Sequence, residues 1–194
     1  MSDAFTVLWT KEHCQEIRKA GEEGKPLTVL FGGNHQSCPS LARAGLRRGD
    51  FVFPLLVREG ILHIVAGTVV NEFISLDSYL VDHLLLDRAE LKGLPEYRLK
   101  EVLQRLGIAG HRLPYGCGIE VLLVEHSTPI RFDVVVSPEN LESFVFRPRK
   151  GPPMALRHVE NGKLKSSLSL QGNIRRLSEE TAAMLLKLIG FAAR

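Results

Sequence analysis

Between Phe51 and Val70 the chain is apolar at nearly every position. Two runs, Phe51 to Val57 and Ile61 to Val70, flank Arg58-Glu59-Gly60. The pattern predicts a β-hairpin, with Gly60 supplying the left-handed conformation that a short connection needs. Its first arm is apolar on both parities, Phe51, Phe53, Leu55 and Val57 against Val52 and Leu56. A strand covered on both faces belongs to a barrel or a layered sheet. Pro54 has no N–H to give a ladder, so it must face an edge or a bulge. Gly67 marks a bend or a close backbone approach in the second arm.

The remaining pattern supplies the other elements. Phe5 to Trp9 reads as a strand, and Thr10 as the N-cap of a helix from Lys11 to about Gly21 with Cys14 and Ile17 inward. Leu27 to Phe31 is a short strand, followed by a polar loop and a helix-like segment, Ser40 to Ala44. Ser75 to Leu86 and Pro95 to Gly107 carry helical spacing and predict a two-helix insertion over residues 75–107. Ile119 to Val124, Ile130 to Val136 and Phe144 to Phe146 read as strands, and Ser137-Pro138-Glu139 as a helical turn.

Residues 148–154 form a basic, proline-rich linker. Beyond it, Asn161-Gly162 is a strong hairpin signal between arms Ala155 to Val159 and Lys163 to Leu170. In the second arm Leu164, Ser166, Leu168 and Leu170 share one parity and Lys163, Lys165, Ser167 and Ser169 the other, which predicts one buried and one wet, basic face. Ser178 caps a terminal helix through Ile189 with Met184, Leu185 and Leu188 inward. The expected architecture is α+β, a single domain over residues 1–194. It is a small, mainly antiparallel β-barrel or strongly bent sheet with peripheral helices and the two-helix insertion, because the strongest pairings are hairpins.

The order of a strand, a helix ending near Gly21, a polar loop and then Leu46-Arg47-Arg48-Gly49-Asp50-Phe51-Val52-Phe53 running into a hairpin that ends Ala66-Gly67-Thr68-Val69-Val70 resembles the opening of PUA-like barrels. That group includes the ASCH, EVE and YTH domains. The resemblance is one of pattern and covers roughly residues 5 to 75. It implies a barrel mouth that receives an RNA segment or a flipped, modified base. The family's aromatic cage does not map onto Trp9, Phe31, Tyr79 and Tyr115 as a set. Some ASCH-like proteins are metal-independent amidohydrolases on modified nucleosides that use Thr, Lys and Glu, which makes such an enzyme the alternative. Thr10, Lys11 and Glu12 diverge around a helix, so those roles are not carried over. A protein-interaction accessory domain with no catalytic site is the third class.

A hydrophobic fraction of 44% with 24% charged residues excludes a disordered chain. No apolar run approaches the roughly 18 residues of a membrane span, and MSDAFTVLW lacks the features of a signal peptide. A cytoplasmic protein is expected. Cys14, Cys38 and Cys117 are odd in number and widely spaced, which suits reduced thiols. The net charge of +3 says little, but its distribution says more. Residues 147–176 hold eight basic residues and one acid, and residues 24–49 hold four basic residues and none. That polarity fits an anionic partner, namely RNA or DNA.

Two groups of candidate residues follow. The loop Gly32 to Pro39 is small and hydrogen-bonding throughout, and it follows a strand directly. His35 and Cys38 stand in H-x-x-C spacing, but no second pair completes a metal site, so no metal and no cofactor are expected. No dinucleotide or P-loop fingerprint surrounds Gly32 and Gly33. The loop therefore reads either as a plain connection or as a recognition element, with Asn34, His35 and Gln36 addressing a base edge and Phe31 or Trp9 as stacking surfaces. Arg147, Arg149, Lys150, Lys163, Lys165, Arg175 and Arg176 are the candidate phosphate contacts. Cys117 lies between glycines, but the nearest candidate base, His126, is roughly 30 Å along the same strand, and no catalytic residue is assigned.

Overall fold

The computed structural model describes residues 2–33, 39–84, 117–168, 170 and 174–191. Its principal sheet is built from β1 (Ala4–Trp9), β2 (Val29–Gly33), β3 (Phe51–Arg58), β4 (Ile61–Ile64), β5 (Thr68–Ser75), β6 (Cys117–Ser127) and β11 (Arg175–Arg176). The order across it is β11-β1-β3-β5-β6-β2, with β4 paired to β3 beside β5. All pairings are antiparallel except β1 with β3, which run parallel from Ala4–Phe51 to Trp9–Leu56. The sheet curls into an open half-barrel, so of the two expected forms the bent sheet is present and the closed barrel is not. Two small ribbons, β7 (Val145–Phe146) with β8 (Met154–Ala155) and β9 (Val159–Glu160) with β10 (Lys163–Leu164), complete the strands among the described residues. The helices among the described residues are α1 (Lys11–Lys19), α2 (Leu41–Ala44), α3 (Leu76–Leu84), α4 (Pro138–Glu142) and α5 (Glu179–Leu188).

The expected hairpin forms: Leu55 to Arg58 pair with Ile64 to Ile61 around a two-residue turn. Glu59 and Gly60 both take left-handed conformations, φ 55° and 78°, so the connection is the tight turn whose twist matches that of paired strands. The apolar second arm, however, is not one strand. Its ladder stops after Ile64 and restarts at Thr68, where β5 takes over the N-terminal part of β3 through Val52–Thr68 and Phe51–Val69. Pro54 explains how the centre of a sheet accepts a proline. Its carbonyl accepts from Val65 N–H at 2.8 Å on this side. Its nitrogen, turned the same way, faces the 65–67 joint between β5 and β4, where no ladder bond is required.

Gly67 at that joint donates to the Thr128 hydroxyl at 3.0 Å and accepts from Thr128 N–H at 2.9 Å. A Cβ there would come within 2.1 Å of Ile189 Cδ1, so the glycine admits the end of α5. The strand β5 then continues to Ser75 along β6, with bulges on either side of Val70. It runs further than the hairpin expected from sequence, and the Ser75 hydroxyl accepts from Ser78 N–H at the start of α3. Only α3 of the expected two-helix insertion can be placed; the segment from Pro95 to Gly107 lies outside the described residues.

Because β3 is apolar on both parities, it separates two cores. Val52 and Leu56 join Phe5, Ile17, Leu46 and Phe132 on one side. Phe53 and Leu55 join Leu62, Phe144, Leu141 and Leu185 on the other. The caps behave as read: Thr10, Ser137 and Ser178 each accept from a backbone N–H three residues on. Two expectations shorten. Ile130 to Val136 runs beside β4 with a single bridge, His63–Val135, instead of a regular strand. The Asn161-Gly162 turn is present, at φ 51° and 69°, but each arm pairs over two residues only. Leu168 is consequently 64% exposed instead of buried.

His63 is the unusual core residue. It is 2% exposed, and neither ring nitrogen has a hydrogen-bond partner among the described residues. Burial first, and then the charge of Arg58, hold its pKa below the ordinary 6.5, while the nearby Phe132 backbone pulls weakly the other way. Between the depressed value and 6.5 the unfolded chain binds a proton that the folded chain does not, so stability is full above 6.5 and declines as pH falls below it. Urea midpoints should therefore drop between pH 7 and pH 5. His63→Leu should reduce that drop at little cost at neutral pH, because it removes buried polar atoms that have no partner. An unchanged acid slope in the variant would assign the effect to other groups.

Candidate nucleic-acid interface

The loop expected to read a ligand leaves the sheet at Gly33 and rejoins described backbone at Pro39; Asn34, His35, Gln36 and Cys38 themselves lie outside the described residues. Both ends are pinned. Gly33 sits in register with Cys117 at the end of the β2–β6 ladder. At the other end the Glu120 carboxylate accepts from the Ser40 hydroxyl at 2.6 Å, Leu41 N–H at 2.7 Å and Ala42 N–H at 3.1 Å. The first-turn donors of α2 are thus satisfied by an anion from β6. A Cβ on Gly32 would meet Leu41 Cγ at 2.8 Å and Glu120 Oε2 at 2.9 Å, so this glycine lets the short helix lie on the sheet. Glu120 was not among the residues that sequence pattern brought forward. Its signal is that of the one acid within the apolar run Ile119 to Val124.

Phe31, in β2 just ahead of the loop, is half-buried with its ring edge-on to Tyr79 at 5.9 Å between centroids. Trp9 is a core residue instead of an open stacking surface, 8% exposed and in edge contact with His13 at 4.7 Å. Of the two stacking candidates, Phe31 keeps some exposure.

A basic strip begins in α2 and continues beyond it. That helix ends at Gly45, φ 74°, and its carbonyl accepts from Arg149 Nη2 at 3.1 Å. This bond seats the proline-rich linker on the segment after α2 and joins two acid-poor stretches that are far apart in sequence. Arg43, Arg47, Arg48, Arg149 and Lys150 are all exposed, and none has an ion-pair partner among the described residues. The acid closest in sequence, Asp50, is buried and holds the turn, accepting from Asp3 N–H and Arg47 N–H, both at 2.8 Å. Arg43, Arg47 and Arg48 were not sequence candidates. The signal available for them was their place in an acid-free stretch.

The other expected phosphate contacts are placed elsewhere. Arg147 pairs with Glu179 at 3.3 Å, and Arg176 is ion-paired to Asp3. Lys163 and Lys165 are exposed beside the Asn161-Gly162 turn. Arg175 lines a separate cleft. The backbones of Cys117 and His126 stand near opposite ends of β6, as their spacing implied. Cys14 is buried, and burial pushes its thiol up to about 12, far from nucleophilic. The Thr10 hydroxyl is committed to its cap, accepting from His13 N–H at 3.2 Å. Among the described residues no three His, Cys, Asp or Glu side chains converge as metal ligands, and no helix is long and apolar enough to cross a membrane.

No protein-family model matches the chain, and no curated protein matches it either. Among solved structures it is similar to a mutant form of the ZmASCH protein from Zymomonas mobilis. That similarity has 14% identity and a TM-score of 0.39, and it covers 95% of each chain.

Glu120 is the point at which this surface is most open to a stability test. Glu120→Ala removes three hydrogen bonds from the start of α2 and should cost about 1–2 kcal/mol, the range for loss of a helix cap. Glu120→Gln, which keeps one acceptor, should recover part of this. Urea denaturation of the three proteins checks the order, and equal stabilities would show that the carboxylate does not hold the helix.

Proposed function

We propose that this chain is a nucleic-acid-binding domain, with RNA or a modified, flipped base as the favoured ligand. Phosphates lie along Arg43, Arg47, Arg48, Arg149 and Lys150, and the loop of Asn34, His35 and Gln36 addresses a base. The observation that carries this reading is the Arg149–Gly45 hydrogen bond. It unites two acid-poor segments in one exposed strip without ion-pair partners among the described residues, directly following the pinned loop and α2. Cations with no acidic neighbour cost little to bring against a polyanion and release its counterions on binding. Phe31, two residues before the end of β2, is the aromatic that accompanies the loop.

In this arrangement the strip supplies affinity and the loop supplies choice, so the two should fail differently. The joint variant Arg47→Ala, Arg48→Ala, Lys150→Ala should weaken binding to every tested RNA and DNA. Its salt dependence should flatten by about 0.9 of a log-log unit for each duplex-DNA phosphate that the variant no longer neutralises. Asn34→Ala should leave general affinity nearly intact and erode discrimination between plain and modified ligands. Fluorescence anisotropy on labelled single- and double-stranded RNA and DNA across a salt series measures both. Absence of salt-sensitive binding by the native protein at micromolar concentration would end the proposal.

A further inference from the structure

The C-terminal ribbons enclose a cleft of about 340 Å³ that shares no residue with the basic strip. Arg157, His158 and Arg175 line it together with Phe146, Met154 and Leu168, and no acidic residue is among the described lining residues. Its most telling group is Arg175. The guanidinium sits over the Phe146 ring, 5.4 Å from the centroid, which fixes its plane from one side. Its Nε is buried and has no hydrogen-bond partner among the described residues. Leaving a charged donor buried and unmatched is costly, and arginine presents its donors as a rigid fork suited to oxyanions. Burial, and then the charge of Arg157, push the Arg175 guanidinium below its ordinary pKa, as two cations sharing a partly desolvated space require.

His158 is held at the cleft by its backbone. It takes a left-handed φ of 62°, and its carbonyl accepts from Lys165 N–H at 2.8 Å. Leu168, 64% exposed, stands at the rim, and Met154 adds a second apolar surface. A cationic lining free of acids at one end and an apolar rim at the other describe a ligand with a compact anionic head and an uncharged body.

We propose that the cleft binds a phosphate monoester of about nucleotide size, the phosphate held by Arg157 and Arg175 and the body lying against Leu168 and Met154. Two guanidiniums and an imidazole in an acid-free lining match a group that carries close to two negative charges at neutral pH better than they match a carboxylate. The volume lies at the lower end of the range for small-ligand pockets, which suits a single nucleotide. The phosphate has two sources, a free nucleotide or the 5′-phosphorylated end of an oligonucleotide.

Isothermal titration calorimetry on the full chain tests this with AMP, adenosine, a 5′-phosphorylated dinucleotide and its 5′-hydroxyl counterpart. AMP should bind and adenosine should bind at least tenfold more weakly. Stronger binding of the phosphorylated dinucleotide than of AMP would support the site and assign it to a chain end; the reverse would support it and assign it to the free nucleotide. Arg175→Met, which keeps an apolar stem over Phe146, should lower AMP affinity at least tenfold. Leu168→Asp alters an exposed position, so folding is not at stake, and it should repel the anion to a similar degree. The proposal is overturned if native protein binds neither phosphorylated probe at millimolar concentration, if AMP and adenosine bind equally, or if Leu168→Asp leaves AMP binding unchanged. Because the strip contributes no residue here, these results leave the nucleic-acid reading standing or falling on its own test.

Discussion

The burial of β3 on both faces is the constraint from which the architecture follows. Val52, Phe53 and Leu55 are fully buried, so elements must cover the strand above and below as well as beside. One layer comes from α1, Leu46 and Phe132, and the other from α4, the Phe144–Phe146 segment and α5. A two-layer α+β arrangement around a single strand is the compact solution to that demand. It also explains why the sheet stays open: with both faces of its centre already covered, it does not need to close on itself to exclude water.

The same constraint sets where chemistry can sit. A strand dry on both sides has no surface to offer a ligand, so charged and polar groups are displaced to the ends of the sheet and to the connections around it. The loop after β2, the strip after α2 and the cleft beside β11 are all such places. In each, a local anchor fixes a side chain: the first turn of α2 holds Glu120, the Gly45 carbonyl holds Arg149, and the Phe146 ring lies beneath Arg175. Rigid anchoring of long side chains lowers the entropy lost when a partner arrives.

The parts of the fold written locally were legible in the sequence. Gly60 and Asn161-Gly162 marked turns whose conformation is set within two residues, and Thr10, Ser137 and Ser178 marked helix starts in the same way. What could not be read depends on the meeting of distant segments. At residues 65–67 Gly67 marked a bend or a close approach within the apolar run, but not what it meets there, the Thr128 hydroxyl and Ile189. The exposure of Leu168 follows from the early end of β9 and β10, which strict alternation had concealed. The basic strip is the intermediate case: composition exposed its two halves, but their meeting rests on a hydrogen bond between residues 104 positions apart. Trp9 was misplaced as a ligand surface because an aromatic at the end of a strand has the same appearance in sequence whether it faces ligand or core.

The position of β11 bears on how the chain is made. Among the described residues, the edge of β1 away from β3 is paired only by Arg175–Arg176, far later in the chain. Until those residues leave the ribosome, β1 presents an open row of backbone groups next to a largely apolar strand, the kind of edge on which other chains nucleate. The Arg176–Asp3 ion pair closes this seam. A nascent chain that stalls before residue 175 would therefore carry an uncapped sheet edge and become a natural client for a chaperone.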